Sequence, residues 1–231
     1  KLKYVKEYCK LNNLNKLIFD SEKPRIGIIS TGKSFLDTKL GLEKIGINKE
    51  AANDIGIKFL KIAMPWPLEE TVIEKFAENL DKIIVVEEKR SIIETQVKEI
   101  LFNKNLKVKV IGKKDENSND LFVSSGALDP GEIGLKIYET IKYLKLPKDV
   151  TNFSMELKSL TESTNSNISL KRIPHFCSGC PHNTSTRIPE GSRAITGISC
   201  AYLVEHMERD NEGFSQMGSE GAPWVGESVF S

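Results

Sequence analysis

No stretch of this 231-residue sequence approaches the ~18 consecutive apolar residues of a membrane-spanning helix, so no bilayer crossing is expected. An excess of one charge is missing as well. The 33 basic residues against 32 acidic ones leave a net charge of +1, and no basic field advertises nucleic acid or acidic lipid. Gly 16 and Pro 9 are too few for a collagen-like or low-complexity chain, and 39% hydrophobic content is too high for a wholly disordered one. No internal repeat is evident. Only four cysteines occur and no signal peptide precedes them, which argues against a disulfide framework. What remains is a globular composition with room for one large domain or two small ones. The sequence opens on Lys1 and closes at Val229-Phe230-Ser231 in a Gly-rich stretch, so it is expected to be a piece of something longer.

The pattern along the chain divides it into four parts. Residues 1–24 begin with a Lys/Leu/Tyr-rich amphipathic helix and loosen towards Pro24, as the tail of a preceding domain would. Residues 25–147 alternate apolar runs with amphipathic stretches. Strands are expected at Arg25–Ser30, Ile57–Ile62, Lys82–Glu87 and Leu106–Ile111. Helices are expected at Leu36–Ile45, after Pro67-Leu68-Glu69-Glu70, at Ser91–Phe102 and from Asp129-Pro130 to Leu144. Strand and helix taking turns predicts an α/β fold with a parallel sheet covered on both faces. Residues 148–172 are rich in Ser, Thr and Asn with no useful apolar period, and read as a linker or an extended crossover. From residue 173 onward Gly, Pro, Cys and His become dense.

Gly27 to Ser34 (GIISTGKS) matches the phosphate-loop pattern letter for letter, with Glu87 available as an acidic metal-holding residue. The physics is against it. Ile28 and Ile29 are β-branched and suit a strand, not a loop whose amides must curl around phosphates. The strand is therefore expected to run through the motif. Thr31, Gly32 and Ser34 would then lie at its C-terminal end, where open α/β sheets bind ligands, or simply at a capped helix start.

Phe176 to His182 (FCSGCPH) is the densest chemical statement in the chain, and Cys200 follows twenty residues on. A C-x-x-C spacing lets two thiolates converge on one metal, with Ser178-Gly179 permitting the tight turn. Zinc could take Cys177, Cys180, Cys200 and a histidine. An iron–sulfur cluster would need a fourth cysteine from elsewhere. A redox dithiol lacks the thioredoxin-type placement of Pro and His, and buried inert cysteines are the bland alternative. Gln216 to Trp224 (QMGSEGAPW) sets small residues around one carboxylate and one thioether, either for close approach to a flat ligand or as a surface loop.

At Phe176–Thr186 (FCSGCPHNTST), Pro189–Ala194 (PEGSRA), Gly197–Cys200 (GISC) and Gln216–Gly221 (QMGSEG) the sequence resembles the fused, long-chain indolepyruvate ferredoxin oxidoreductases of the 2-oxoacid:ferredoxin oxidoreductase superfamily. Thr31–Asp37 (TGKSFLD), Met64–Leu68 (MPWPL) and Val85–Arg90 (VVEEKR) fit the middle of the same enzyme, so an internal fragment is expected. The resemblance implies a transketolase C-terminal-like domain over 25–147, acting as scaffold, and the incomplete start of a thiamine-diphosphate-binding α/β domain over 173–231. It implies oxidative decarboxylation of aryl 2-oxo acids to acyl-CoA, with electrons leaving singly through a 4Fe-4S cluster to ferredoxin or a similar carrier. Cys177, Cys180 and Cys200 fall on the cluster-ligand positions, although Ser199-Cys200 stands where the family has Gly-Cys. His182, Gly197, Ile198, Met217, Gly218 and Glu220 fall where the family cradles thiamine diphosphate. The family's Gly-Asp-Gly motif for Mg²⁺ and its activating glutamate are absent, so the isolated chain is expected to be inactive and to bind the coenzyme weakly. Coenzyme A, the remaining domains of a cytoplasmic homo-oligomer and no nucleic acid or membrane complete what the resemblance implies. A zinc-binding scaffold and a phosphate-loop nucleotide hydrolase are the alternatives.

Overall fold

The computed structural model describes residues 1–104, 106–165, 173–213 and 215–230. It divides into two compact units, Lys1–Ser166 and Asn167–Ser231. The first runs α1 (Leu2–Leu11), β1 (Lys16–Phe19), β2 (Ile26–Thr31), α2 (Gly32–Lys44), α3 (Lys49–Ile55), β3 (Ile57–Ile62), α4 (Glu70–Ala77), β4 (Lys82–Val86), α5 (Ile92–Phe102), β5 (Lys109–Ile111), α6 (Pro130–Ile141) and α7 (Lys148–Asn165). The second holds α8 (His182–Ser185), β6 (Ala194–Ile195), a 3₁₀ segment (Ser199–His206), β7 (Asn211–Glu212) and α9 (Ala222–Glu227).

The sheet order in the first unit is β1-β3-β2-β4-β5. β3, β2, β4 and β5 are parallel, with Ile26 opposite Ile57 on one side and Lys82 on the other. Successive strand residues point to opposite faces, so each strand feeds two cores. Ile28 and Ile84 pack with Leu42 of α2 and Ile133 and Ile137 of α6. Ile29, Ile83 and Val85 pack with Ile73 and Phe76 of α4 and Ile93 and Val97 of α5. This is the α/β fold that the alternation of elements predicts, and β2 passes through Ile28 and Ile29 of the phosphate-loop lookalike.

The sequence reading has no helix at Lys49–Ile55, where α3 forms, and its strand Leu106–Ile111 shortens to Lys109–Ile111. Two further segments differ from it more. Residues 16–19 form β1, an edge strand antiparallel to β3, within the span expected to be a loose tail. Only Phe19 of its four residues is buried, so no alternation marks it. Residues 148–165, expected in a linker, form the 18-residue helix α7. Its inner face carries Val150 and Ser154, both fully buried, and partly buried Leu157. Ser154 Oγ donates to Val150 O (2.7 Å) and Thr161 Oγ1 to Leu157 O (2.8 Å), so the hydroxyls are satisfied one turn back and sit on a helix face. The remainder of the expected linker, 166–172, lies outside the described residues.

Candidate functional site

The order of the first sheet puts a topological switch point between β2 and β4, the place where open α/β sheets take ligands beyond the C-terminal strand ends. Here that crevice is closed by the protein's own side chains. Lys33 Nζ reaches Asp37 (2.6 Å) and crosses from the β2 end to Glu88 beyond β4 (3.0 Å). Glu88 also accepts from the Leu128 amide (3.3 Å). Thr31 Oγ1 donates to Ile62 O (2.7 Å) and leaves the start of α2 without a side-chain cap. Glu87 accepts three backbone amides of α5. The phosphate-loop reading therefore has neither a free lysine nor a free acid. Gly27 serves packing instead, since a Cβ there would sit 2.6 Å from Leu80 Cδ1.

Hydrogen bonds from Lys33 and from the Leu128 amide hold the Glu88 carboxyl below the usual carboxylate range. A carboxyl whose folded pKa is depressed stabilises the fold above its unfolded pKa, and that contribution is lost as pH falls through the folded value. Glu88→Gln is therefore expected to flatten the loss of urea resistance below about pH 4 relative to the parent chain. An unchanged acid profile would remove Glu88 from that role.

In the second unit, Cys180 N donates to Cys177 O (3.1 Å) and closes a four-residue turn. Gly179 takes φ +74° at the turn position that favours a residue without Cβ. Asn183 Nδ2 donates to the same Cys177 carbonyl (3.0 Å). The Cys180 sulfur lies 3.3 Å from His182 Nδ1, and the Phe176 ring stacks on His182 at 5.3 Å between centroids. Arg209 lies over Phe176 and donates to Thr186 Oγ1 (2.6 Å), tying the turn to the chain that leads into β7.

β6 and β7 pair in parallel, with Thr196 N donating to Glu212 O (2.7 Å). Beside them is a cavity of about 450 Å³. Arg193 stands at it between Glu212 (3.1 Å) and Glu227. Gly197, Glu220 and Trp224 line it too, as does Thr196, whose Oγ1 is buried without a hydrogen-bond partner among the described residues. Glu220 accepts from the Gly218 amide (2.9 Å), which lowers its pKa.

Of the residues singled out from sequence, the structure brings Gly197 and Glu220 to this cavity and pairs Cys180 with His182. Ile198 and Met217 are exposed, and Gly218 adopts φ +91°. Cys177 is exposed, Cys180 half-buried, and Cys200 exposed at the head of the 3₁₀ segment. Among the described residues no three His, Cys, Asp or Glu side chains are gathered so as to hold a metal ion. As arranged, these residues do not by themselves fit a three-thiolate cluster mount. Nor does the cavity fit a diphosphate, because three carboxylates face one guanidinium that two of them already occupy. Thr196 carries no sequence signal, and Arg193 and Trp224 fall inside the quoted PEGSRA and QMGSEGAPW stretches without a role of their own. The partners of Arg193 come from separate elements, so no local spacing signals them.

The indolepyruvate oxidoreductase domain model matches residues 16–166, from the first residue of β1 to the end of the first unit. The chain belongs to this family. An indolepyruvate oxidoreductase subunit IorA of Thermococcus kodakarensis is 28% identical over 196 residues, which are 79% of this chain and 26% of that protein. The subunit of the same name from Pyrococcus horikoshii is 33% identical over 92 residues, 40% of this chain and 13% of the relative. Thus the chain spans about a quarter, or less, of the length of these curated relatives. Among solved structures, a 2-oxoglutarate:ferredoxin oxidoreductase from Magnetococcus marinus aligns with TM-score 0.42 and 15% identity over 60% of this chain and 22% of that one. A split-gene transketolase aligns with TM-score 0.38 and 14% identity over 57% and 42%. Within the indolepyruvate oxidoreductase domain itself, the side chains at the switch point are committed to structure. No helix among the described residues is long and apolar enough to cross a membrane.

Proposed function

We propose that this chain is part of a thiamine-diphosphate-dependent 2-oxoacid:ferredoxin oxidoreductase of the indolepyruvate type. It would oxidatively decarboxylate aryl 2-oxo acids to acyl-CoA and pass the electrons to ferredoxin in the cytoplasm. The observation that carries this reading is the family match over the whole sheet domain. The closed crevice between β2 and β4 supports a scaffolding role for that domain. In this reading Cys177, Cys180 and Cys200 belong to an iron–sulfur cluster, and His182, Gly197, Ile198, Met217, Gly218 and Glu220 flank the coenzyme. Both sites are completed by further chain of the full-length homo-oligomeric protein, which also supplies the ligands of Mg²⁺. When bound, thiamine diphosphate supplies carbanion chemistry that no side chain here offers. This chain's own part is to hold the C-x-x-C turn through Gly179, Asn183 and Arg209.

The test is made on the full-length protein purified without oxygen. Indolepyruvate and coenzyme A are expected to reduce a one-electron viologen dye only when thiamine diphosphate is present. Cys180→Ser should bleach the visible cluster absorbance and lower kcat by at least the roughly 10–100-fold that losing an outer-shell partner of a metal site costs. A colourless protein carrying about one zinc per chain would replace this reading with a structural zinc site.

A further inference from the structure

The C-x-x-C turn pairs its two cysteines locally, through a backbone hydrogen bond that Cys200 does not share. Cys177 and Cys180 are the two ends of one hydrogen-bonded turn (3.1 Å), whereas Cys200 opens a 3₁₀ segment, and no three-ligand group forms among the described residues. The ends of such a turn have Cα atoms less than about 7 Å apart, which overlaps the roughly 4.4–6.8 Å that a disulfide spans. Gly179 at φ +74° and the Asn183 bond to the Cys177 carbonyl hold this geometry without help from a metal. Cys177 is exposed and Cys180 half-buried, so Cys177 is the more accessible of the pair. The remaining thiol, Cys9 on α1, is 1% exposed and shielded from solvent.

We infer that Cys177 and Cys180 form a reversible disulfide by exchange with small-molecule disulfides, a modification in which Cys200 takes no part. The exposed Cys177 thiolate attacks one sulfur of an external disulfide, breaks its S–S bond and expels one thiolate. Cys180 then attacks the Cys177 sulfur of the mixed disulfide and expels the second thiolate. Two cysteine thiols are oxidised, one external disulfide is reduced to two thiols, and the two protons leave with those thiols. The bridge ties up two of the three sulfurs that the proposed function gives to the cluster, so it gates cluster loading. That regulatory half rests on the functional reading, while the bridge itself rests only on the turn.

The 231-residue chain is incubated with oxidised glutathione, digested and weighed. The expected result is a loss of two hydrogens confined to a peptide containing both Cys177 and Cys180, reversed by dithiothreitol and unchanged in Cys200→Ser. Cys180→Ser should stop at glutathione attached to Cys177. A bridge that includes Cys200, or a parent chain that accumulates only mixed disulfides, would overturn the inference. The gate is read on the full-length protein, loaded with iron and sulfide before or after oxidation. The oxidised form should take up less than about a tenth of the chromophore, and equal uptake by both forms overturns the gate. A reduced protein that takes up none overturns the cluster assignment and leaves the bridge standing.

Discussion

Gly134→Val is expected to leave the first unit largely unfolded, and Gly134→Ala to weaken it by about 1–3 kcal/mol, the usual range for forcing extra carbon into a packed interior. α2 and α6 cross through a reciprocal glycine contact. A Cβ on Gly134 would lie 2.5 Å from the carbonyl oxygen of Gly41, and a Cβ on Gly41 would lie 2.5 Å from that of Pro130. Both obstacles are backbone, so no rotamer change relieves them, and the helices must separate over a core that includes Leu42, Ile133 and Ile137. Helix propensity acts in the other direction, favouring alanine over glycine by about 0.8–1.0 kcal/mol. Urea unfolding decides which effect wins. An alanine variant more stable than the parent by that amount would show that the two helices yield easily. Valine adds two methyl groups to the same clash, against a total stability of about 5–15 kcal/mol for a typical domain.

Glu87→Ala is expected to cost about 2–4 kcal/mol, with Glu87→Gln falling between it and the parent. The Glu87 carboxylate, 5% exposed, accepts from the amides of Ile92 (3.0 Å), Ile93 (2.9 Å) and Glu94 (3.0 Å) at the first turn of α5. An ordinary cap is worth about 0.5–2 kcal/mol, and each buried amide left unpaired adds roughly 1–3 kcal/mol. Its negative charge also suits the helix N-terminus. Glutamine keeps one acceptor oxygen but turns an NH₂ group towards amides that themselves donate, which accounts for the intermediate rank. Urea unfolding together with hydrogen exchange at residues 92–94 measures both effects. An alanine variant within about 0.5 kcal/mol of the parent would mean that water replaces the carboxylate at no cost. A loss of nucleotide binding with stability intact would return Glu87 to the phosphate-loop role.

Much of the sheet domain could be read from residue order. Arg25–Ser30, Ile57–Ile62 and Lys82–Glu87 each coincide with a strand to within a residue or so, because short apolar runs rich in isoleucine and valine suit strands buried on both faces. Lys16–Phe19 was illegible, since an edge strand with one buried residue carries no period. α7 was illegible for a different reason: its buried face mixes Val150 with Ser154, and a buried serine looks like a linker residue until its hydroxyl is seen bonded to the carbonyl one turn back. In the second unit, FCSGCPH announced the turn at Cys177–Cys180, because spacing and a glycine suffice for a local loop. The cavity beside β6 was not announced, because Arg193 meets Glu212 and Glu227 only after the chain has folded back on itself.

The order of residues alone determined where the central strands β2, β3 and β4 lie, that they run parallel, and that two cysteines share one turn, all properties governed by neighbours a few positions apart. Only the tertiary structure decided that Lys33 and Glu88 close the crevice between β2 and β4, that Glu87 belongs to a helix end, and that Arg193 stands between Glu212 and Glu227. Those outcomes turn on hydrogen bonds and packing between residues far apart in the chain, where several partners compete for one charged group and the folded backbone selects among them.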